Sequence, residues 1–292
     1  MAGGNAMSRP IKNIAAATKR KLLYFARTEN QDFNELHRRY LQERFLLRIS
    51  QSEFKNNFIL KGGLLLITID LPKIRPTMDI DFLVQSVSNS EDNLKKVFKE
   101  ICSIPIEDGI IFDTSSITTQ EIDKDGDYKG IRVKFIAVMG SSRTPMSIDL
   151  GFSDKMIPEP REINFPTILD EPSPKLRAYC LETIIAEKFE AITKLSLSNS
   201  RMKDFYELYM ILTEQKFNNE VLKKSIKATF EHRKTPLTLS PLAFTSLFYR
   251  DVNKQATWQS FLNNHKITNI PADLSVIVKT LKYKLIPIVR DI

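Results

Sequence analysis

Cysteine, histidine, glycine and tryptophan are scarce in this sequence of 292 residues, which contains 2, 3, 9 and 1 of them, respectively. Cys102 and Cys180 are too few for a disulfide framework or a cysteine-based zinc site, and they favour a reducing, cytoplasmic location. The separated His37, His232 and His265 argue against a metal or Ser-His-Asp site that depends on histidine. Any catalytic chemistry is therefore expected to rest on carboxylates and lysines.

Long hydrophobic runs are missing as well. The most apolar stretch, residues 64–69, falls far short of the roughly 20 residues needed to cross a bilayer, so we expect no membrane span. A hydrophobic content of 42% with 27% charged residues excludes a disordered or collagen-like chain. The length exceeds that of most single domains, so we expect two modules or one core with large additions.

The net charge of +8 is distributed unevenly along the chain. Residues 1–57 carry 11 basic and 5 acidic side chains, a net charge of +6. Residues 58–212 carry 19 basic and 24 acidic side chains, a net charge of −5. Residues 213–292 carry 13 basic and 6 acidic side chains, a net charge of +7. Two basic flanks around an acidic middle favour a polyanionic partner held by the flanks, although solvated surface charge would give the same totals.

The hydrophobic periodicity predicts an α+β fold, with a mixed β-sheet core between N-terminal helices and a C-terminal helical bundle. We expect two or three helices over residues 11–51, separated near 28–31, and a connecting helix over 91–101. Short apolar segments predict strands at 58–60, 80–84, 110–121, 129–138 and 145–151. Five prolines between 158 and 174 are expected to mark the exit from the sheet, and helices are expected over 181–194, over 202–212 and beyond. The predicted domains are a basic helical segment at 1–56, an α/β core at 57–170 and a helical domain at 171–292.

The acidic segment 123–127 resembles a calcium-binding loop only superficially. A loop of the EF-hand type has its glycine at the sixth position and a bidentate glutamate at the twelfth. Counted from Asp123, the glycine falls at the fourth position and Lys134 occupies the twelfth. Asp-Gly between two β-rich segments predicts a hairpin turn instead.

The most informative motif is Asp79-Ile80-Asp81. In a strand, residues i and i+2 project to the same face, so both carboxylates would lie together while Ile80 enters the core. Mg²⁺ suits such a pair, because it typically binds one or two carboxylates together with substrate phosphates. On its own the motif is weak, since surface strands also contain Asp-x-Asp.

Two other segments strengthen the motif. Lys61-Gly62-Gly63 ends a predicted strand, and its glycines would let backbone N–H groups approach a phosphate. Asp149 is flanked by apolar residues near the end of a later strand. A glycine turn, then Asp-x-Asp, then a single strand aspartate is the order found in sites where two Mg²⁺ ions catalyse nucleotidyl transfer.

The sequence resembles a known family at four points in order. Residues 58–63 (FILKGG) and 75–81 (RPTMDID) are similar to the signature of AbiEii-like nucleotidyltransferase toxins of abortive-infection and toxin–antitoxin systems. Residues 181–191 (LETIIAEKFEA) and 201–209 (RMKDFYELY) are similar to that family's Ala-Glu-Lys and Arg-x-x-Lys-Asp-x-Tyr-Asp elements. The resemblance spans about residues 55–212 and implies a nucleotidyltransferase fold for the core.

The resemblance also implies roles for individual residues. Catalysis would involve a metal-binding pair, a lysine that neutralises phosphate charge and an aspartate that orders that lysine or the nucleotide; the residues implied are Asp79, Asp81, Lys188 and Asp204. The triphosphate would lie beside the turn and several polar side chains, namely Lys61, Gly62, Gly63, Thr77, Arg201 and Lys203. The wider superfamily pattern adds Asp149 as a metal ligand that assists deprotonation of the attacking hydroxyl. Without the resemblance, Lys188 would be read as a solvated helix residue and Asp204 as a local partner of Arg201.

The sequence departs from the family pattern at several positions. The family commonly has threonine or serine after the glycine pair, where this chain has Leu64, so one phosphate contact is in doubt. The spacing from Arg201 to Lys203 is one residue shorter than in the family, and the expected Tyr-Asp pair is Tyr206-Glu207.

The expected function is that of a Mg²⁺-dependent nucleotidyltransferase toxin. By resemblance, it would transfer an NMP group from an NTP to an RNA hydroxyl, at the 3′ acceptor end of tRNA, and its partner would be a cognate antitoxin encoded nearby. Two alternatives stay open: an NTP-binding regulator with the fold but no turnover, for which Leu64 is the motivating feature, and an enzyme that modifies protein hydroxyls.

Overall fold

A computed structural model describes residues 13–69, 71, 75–124, 128–152 and 156–292. The described elements are, in order, α1 (Ile14–Thr28), α2 (Phe33–Gln51), β1 (Phe58–Lys61), α3 (Gly62–Leu65), β2 (Asp79–Val84), α4 (Glu91–Ser103), β3 (Ile110–Lys124), β4 (Tyr128–Met139), β5 (Ser142–Gly151), β6 (Arg161–Asn164), β7 (Lys175–Ala178), α5 (Leu181–Leu195), α6 (Met202–Glu214), α7 (Asn219–His232), α8 (Ser246–Tyr249), α9 (Val252–Asn264) and α10 (Leu274–Arg290). None of the helices in this described part of the chain is long and apolar enough to cross a membrane.

Seven of these strands form one mixed sheet in the order β3-β4-β5-β2-β1-β7-β6. The pairs β2–β5 and β1–β7 are parallel and the other pairs are antiparallel. Buried aromatic rings from α2, α4 and the sheet pack together on one face, among them Phe45, Phe58, Phe98 and Phe135. The α+β fold with a mixed sheet and flanking helices is confirmed.

The N-terminal helices begin where polar side chains cap them. Asn13 caps α1. At the start of α2, the Asp32 carboxylate accepts hydrogen bonds from the backbone N–H groups of Asn34 and Glu35. Such caps satisfy backbone donors that have no partner inside the helix. The interruption falls at residues 29–32, close to the predicted position.

Helix α2 is joined to the rest of the protein by buried charge pairs. The Arg48 guanidinium donates to both carboxylate oxygens of Asp108, at 2.8 and 3.2 Å. Arg44 contacts Asp108 and Glu171, and the Tyr40 hydroxyl also bonds to Glu171. Because an unpaired buried charge is costly, these pairs fix α2 against the segments before β3 and before β7.

The proline-rich segment does not mark the exit from the sheet, contrary to prediction. Strands β6 and β7 lie within and just after it, and β7 pairs with β1 in the sheet. The prolines at 158, 160, 166, 172 and 174 flank these two short strands and occupy no position inside them. They therefore remove no donor from the strand pairing.

The helices after β7 pack into a second hydrophobic region. Trp258 is fully buried there, and Tyr206 packs against Phe261. Strand β7 lies beyond residue 170 and yet belongs to the sheet. The division into domains at 56 and 170 stays a prediction. The tip of the predicted hairpin, 125–127, lies outside the described residues, while β3 and β4 on either side of it pair antiparallel.

The buried carboxyl group of Glu43 gives a testable pH dependence. Burial raises its pKa from 4.5 to about 7, although the Ile168 N–H and Arg39 act in the opposite direction. Between these two pKa values, the Glu43 carboxyl group is protonated in the folded protein and ionised in the unfolded chain. Folding therefore takes up a proton, so the stability of the protein falls as the pH rises from 4.5 to about 7. Glu43→Gln should remove this fall and gain roughly 2 kcal/mol relative to the unaltered protein between pH 5 and pH 8.

Urea unfolding at pH 5 and pH 8 measures the change in the free energy of unfolding. Glu35→Gln, at an exposed position of the same helix, should leave the pH profile unchanged. Parallel profiles for Glu43→Gln and the unaltered protein would contradict the expectation.

Candidate active site

The glycine turn stands at the end of β1. Gly62 has a φ of +70°, a left-handed conformation that favours glycine. A Cβ atom at this position would lie 2.2 Å from Oδ2 of Asp81. The turn therefore has no room for a side chain at Gly62, because the Asp81 carboxylate packs against the backbone of that residue.

Three carboxylates meet beside this turn. Asp79 and Asp81 alternate with the buried Ile80 along β2, as the strand period predicts. Strand β5 runs parallel to β2, with Asp149 in register beside Asp81. The sheet thus brings together the Asp-x-Asp pair and the third aspartate predicted from the sequence.

A cation that the sequence analysis did not identify binds the third aspartate. Arg132 on β4 is the cross-strand partner of Asp149. Its Nε and Nη2 donate to the two carboxylate oxygens at 2.7 and 2.9 Å. Its Nη2 also lies 4.0 Å from Oδ2 of Asp79. Hydrogen bonding to Asp149, offset in part by desolvation, raises the pKa of Arg132.

A second charged network faces these strands from α5 and α6. Nζ of Lys188 contacts Glu207 and lies 3.2 Å from Oδ1 of Asp204. Nε of Arg201 lies 2.7 Å from the other carboxylate oxygen of Asp204, and Arg75 donates to Glu207 at 2.8 Å. The predicted lysine–aspartate pair is thus part of a chain of five alternating charges.

The network favours the charged forms of Lys188 and Asp204. Burial disfavours the charged form of Lys188, but the carboxylates of Glu207 and Asp204 outweigh it and raise the lysine pKa. Burial likewise opposes ionisation of Asp204, but Lys188 and Arg201 outweigh it and lower the aspartate pKa. At neutral pH Lys188 is therefore a cation and Asp204 an anion.

Lys61 links the glycine turn to α5. Its Nζ lies 3.2 Å from the Tyr179 hydroxyl and 3.3 Å from both carboxylate oxygens of Glu187. Tyr179 also donates to Glu187 at 2.9 Å. Arg233 completes the cluster, with Nη2 3.3 Å from Glu187 and Nη1 2.9 Å from Glu190.

The segment before β2 is held over the turn by α2. Nε2 of Gln42 donates to the carbonyl oxygens of Thr77 and Met78 at 3.2 and 3.3 Å. A Cβ atom on Gly63 would lie 3.4 Å from the Thr77 hydroxyl and 3.2 Å from Nη2 of Arg75. Both polar side chains therefore border the glycine pair.

All eleven predicted site residues line a single cavity of about 540 Å³ between the sheet and the C-terminal helices. They are Lys61, Gly62, Gly63, Thr77, Asp79, Asp81, Asp149, Lys188, Arg201, Lys203 and Asp204. The residues come from β1, β2, β5, α5 and α6 and from adjoining turns. The structure brings them together, while the role of each stays a prediction.

The same cavity is lined by functional groups that the sequence analysis missed. Arg75, Glu187 and Glu207 lie inside the family-like motifs, so the motifs themselves were the signal for them. Arg132, Tyr179, Arg233 and His265 also line the cavity, but no local pattern marks them. Their contacts depend on strand register and helix packing, as the separations of 17 residues for Arg132–Asp149 and 118 for Lys61–Tyr179 show.

The donor set of the cavity suits a divalent cation shared with phosphates. Among the residues that the structure describes, no three Asp, Glu, His or Cys side chains are arranged to hold a metal ion by themselves. Asp79 and Asp81 nevertheless offer hard oxygen ligands on one face of β2, beside a glycine backbone that Asp81 approaches closely. Two carboxylates are what Mg²⁺ uses when substrate phosphates complete its coordination.

Comparison with known proteins gives a family and two similar folds. The family model "Nucleotidyl transferase AbiEii toxin, Type IV TA system" matches residues 44–279. The crystal structure of JHP933 from Helicobacter pylori is 16% identical, with a TM-score of 0.44 over 86% of this chain and 93% of that chain. A second H. pylori protein, described as a candidate nucleotidyltransferase, is 15% identical, with a TM-score of 0.42 over 92% and 96% of the two chains. No curated protein matches the chain.

The two glycines provide a matched pair of substitutions. Gly62→Ala should lower stability by about 2 kcal/mol, because the methyl group meets the Asp81 carboxylate and the left-handed backbone disfavours alanine. Gly63→Ala should cost less, because its neighbours at 3.2–3.4 Å are side-chain atoms of Arg75 and Thr77 that can yield. Thermal unfolding of both variants tests this order, and equal losses would contradict it.

Proposed function

The chain belongs to the AbiEii family of nucleotidyltransferase toxins of type IV toxin–antitoxin systems, and we propose that it transfers an NMP group from an NTP to an RNA hydroxyl. The proposed acceptor is the 3′ end of tRNA, whose modification would block translation. In this reaction the acceptor oxygen bonds to the α-phosphorus, pyrophosphate leaves and the hydroxyl proton is released. A cognate antitoxin encoded nearby is the proposed protein partner, and the cytoplasm is the proposed location.

One observation carries the proposal: the cavity combines an acidic edge with a cationic wall. Asp79 and Asp81 lie on the sheet side, and Lys188, Arg201 and Lys203 approach from the helices. A nucleoside triphosphate needs both, because phosphoryl chemistry depends on positioning and on neutralising charge at the phosphates.

Asp79 and Asp81 would hold Mg²⁺ in this proposal. When bound, the ion would polarise the phosphates and neutralise charge that develops during transfer. The protein contributes a pair of carboxylates, whose spacing is set by β2, and a glycine at position 62 that lets Asp81 approach the backbone of the turn.

Lys188 would act as a fixed positive charge. Because Glu207 and Asp204 raise its pKa despite burial, it stays protonated at neutral pH and cannot accept the hydroxyl proton. Its part in the reaction is therefore electrostatic. Asp204 would keep the ammonium group in place, since Nζ of Lys188 lies 3.2 Å from Oδ1 of Asp204.

The charge on α1 supports an RNA acceptor. Helix α1 carries four basic residues and no acidic ones, and the side chains of Lys19, Arg20, Lys21 and Arg27 are exposed. Such a face suits the phosphate backbone, whose binding releases counterions and weakens as salt rises.

Labelling tests the proposed reaction directly. The purified protein with α-labelled NTPs, Mg²⁺ and total tRNA should yield labelled RNA that RNase removes and protease does not. Asp79→Asn should lower labelling at least about 100-fold, because a carboxylate ligand becomes a neutral amide. Asp92→Asn, at an exposed position of α4, is the matched control and should retain full activity.

Three results would count against the proposal. Full labelling by Asp79→Asn would remove the site assignment. Label that resists RNase but is lost with protease would make protein the acceptor, while NTP binding without pyrophosphate release would indicate a regulator.

The basic face of α1 gives a separate prediction. The variant Arg20→Ala/Lys21→Ala/Arg27→Ala should bind tRNA more weakly and reduce the slope of log K against log salt by about 2. The control variant Lys95→Ala/Lys96→Ala/Lys99→Ala removes three lysines from α4 in the acidic middle segment. Binding isotherms at several salt concentrations give the slope of log K against log salt for the α1 variant and for the control variant. Equal slopes for the two variants would show that α1 does not contact RNA.

A further inference from the structure

Arg132 has a defined place beside the proposed nucleotide site. On adjacent strands, Lys61, Asp81, Asp149 and Arg132 are aligned in register across β1, β2, β5 and β4. The row therefore consists of two central carboxylates with a cation at each end. Lys61 is buried against α5, whereas the Arg132 side chain is 32% exposed and lines the cavity.

The guanidinium group of Arg132 is oriented by its contact with Asp149. Nε and Nη2 use both carboxylate oxygens in a bidentate pair, a geometry that fixes the plane of the group. Among the described residues, Asp149 is the only hydrogen-bond acceptor of this side chain. The Nη1 edge is thus left with donors for a ligand.

The same contact restricts what Asp149 can do. Its side chain is only 8% exposed, and each of its oxygens already accepts a charge-assisted hydrogen bond from Arg132. A metal ion bound through Asp149 would have to share these two oxygens with the arginine or displace it. Within the described part of the chain, Asp149 alone forms such a bidentate pair with Arg132, and Nη2 of Arg132 lies 4.0 Å from Asp79.

We propose that Arg132 binds the triphosphate of the nucleotide, that Asp149 is the positioning residue that holds it, and that the metal ligands are Asp79 and Asp81 alone. The inference rests on the proposed function, because it assumes an NTP in this cavity. Arg132 places positive charge 4.0 Å from Asp79, so a phosphate on a metal ion held by Asp79 would have a guanidinium cation beside it. Arginine suits this task, because its planar donors match phosphate oxygens.

Two binding measurements separate the roles of the two residues. Calorimetry with a non-hydrolysable NTP analogue and Mg²⁺ reports nucleotide affinity, and electron paramagnetic resonance of added Mn²⁺ reports the metal site without nucleotide. Arg132→Ala should weaken analogue binding about 10- to 100-fold, the loss expected for charge-assisted hydrogen bonds, and Arg132→Lys should restore part of it. Neither variant should weaken Mn²⁺ binding.

Asp149→Asn decides between positioning and metal binding. If Asp149 is a positioning residue, the Asp149→Asn variant should bind the analogue several-fold more weakly and keep its affinity for Mn²⁺. The same substitution should have no further effect in the Arg132→Ala background. The double variant also avoids a buried, unpaired carboxylate, so it keeps the test valid if Arg132→Ala alone is unstable. The matched control is Arg143→Ala, which removes an exposed arginine of β5 that pairs at 3.1 Å with Asp113 of β3, on the far side of β4.

The outcomes that overturn the inference are distinct from those that overturn the proposed function. A tenfold or greater loss of Mn²⁺ affinity in Asp149→Asn would make Asp149 a metal ligand. Unchanged analogue binding in Arg132→Ala would remove Arg132 from the nucleotide site. Tight analogue binding by the unaltered protein without RNA labelling would contradict the proposed acceptor and leave this inference intact, whereas no analogue binding at all would overturn both.

Discussion

The repulsion between two neighbouring carboxylates sets the arrangement of the whole site. Asp81 and Asp149 are in register on adjacent parallel strands, and Asp79 lies two residues before Asp81 on the same face. The repulsion in such a cluster is relieved when cations offset the negative charge. Within the sheet, Arg132 pairs with Asp149, and Lys61 stands opposite Asp81 on β1. The sheet therefore carries its own counterions at both ends of the row.

The counterion at one end also joins the sheet to the helices. Lys61 contacts Glu187 of α5, which in turn contacts Arg233 beyond α7. On the other side of the cavity, Arg75 before β2 contacts Glu207 of α6. Two independent ion pairs thus bridge the sheet and the helical region, and both are largely buried. The helices after residue 180 are therefore a wall of the site, and their position is fixed by the same charges that line it.

The sequence allowed a prediction of the acidic half of the site and less of the basic half. Asp79 and Asp81 are two residues apart, so the strand period alone places them on one face, and Gly62 precedes them as a recognisable turn. Arg132 contacts Asp149 only because β4 and β5 pair in one particular register, which no local pattern specifies. The same limit explains β6 and β7: strands of four residues between prolines have too little periodicity to be recognised, although they complete the sheet.

The departure at Leu64 has a structural explanation that bears on turnover. Leu64 is fully buried in the hydrophobic core and does not line the cavity. A hydroxyl at that position would therefore face apolar neighbours in this protein, so leucine removes no polar group from the cavity. Thr77 places its hydroxyl against Gly63 from the preceding segment, where α2 holds the backbone through Gln42. A hydroxyl beside the glycine pair is thus supplied by a different part of the chain, so Leu64 by itself is no evidence for a fold without turnover.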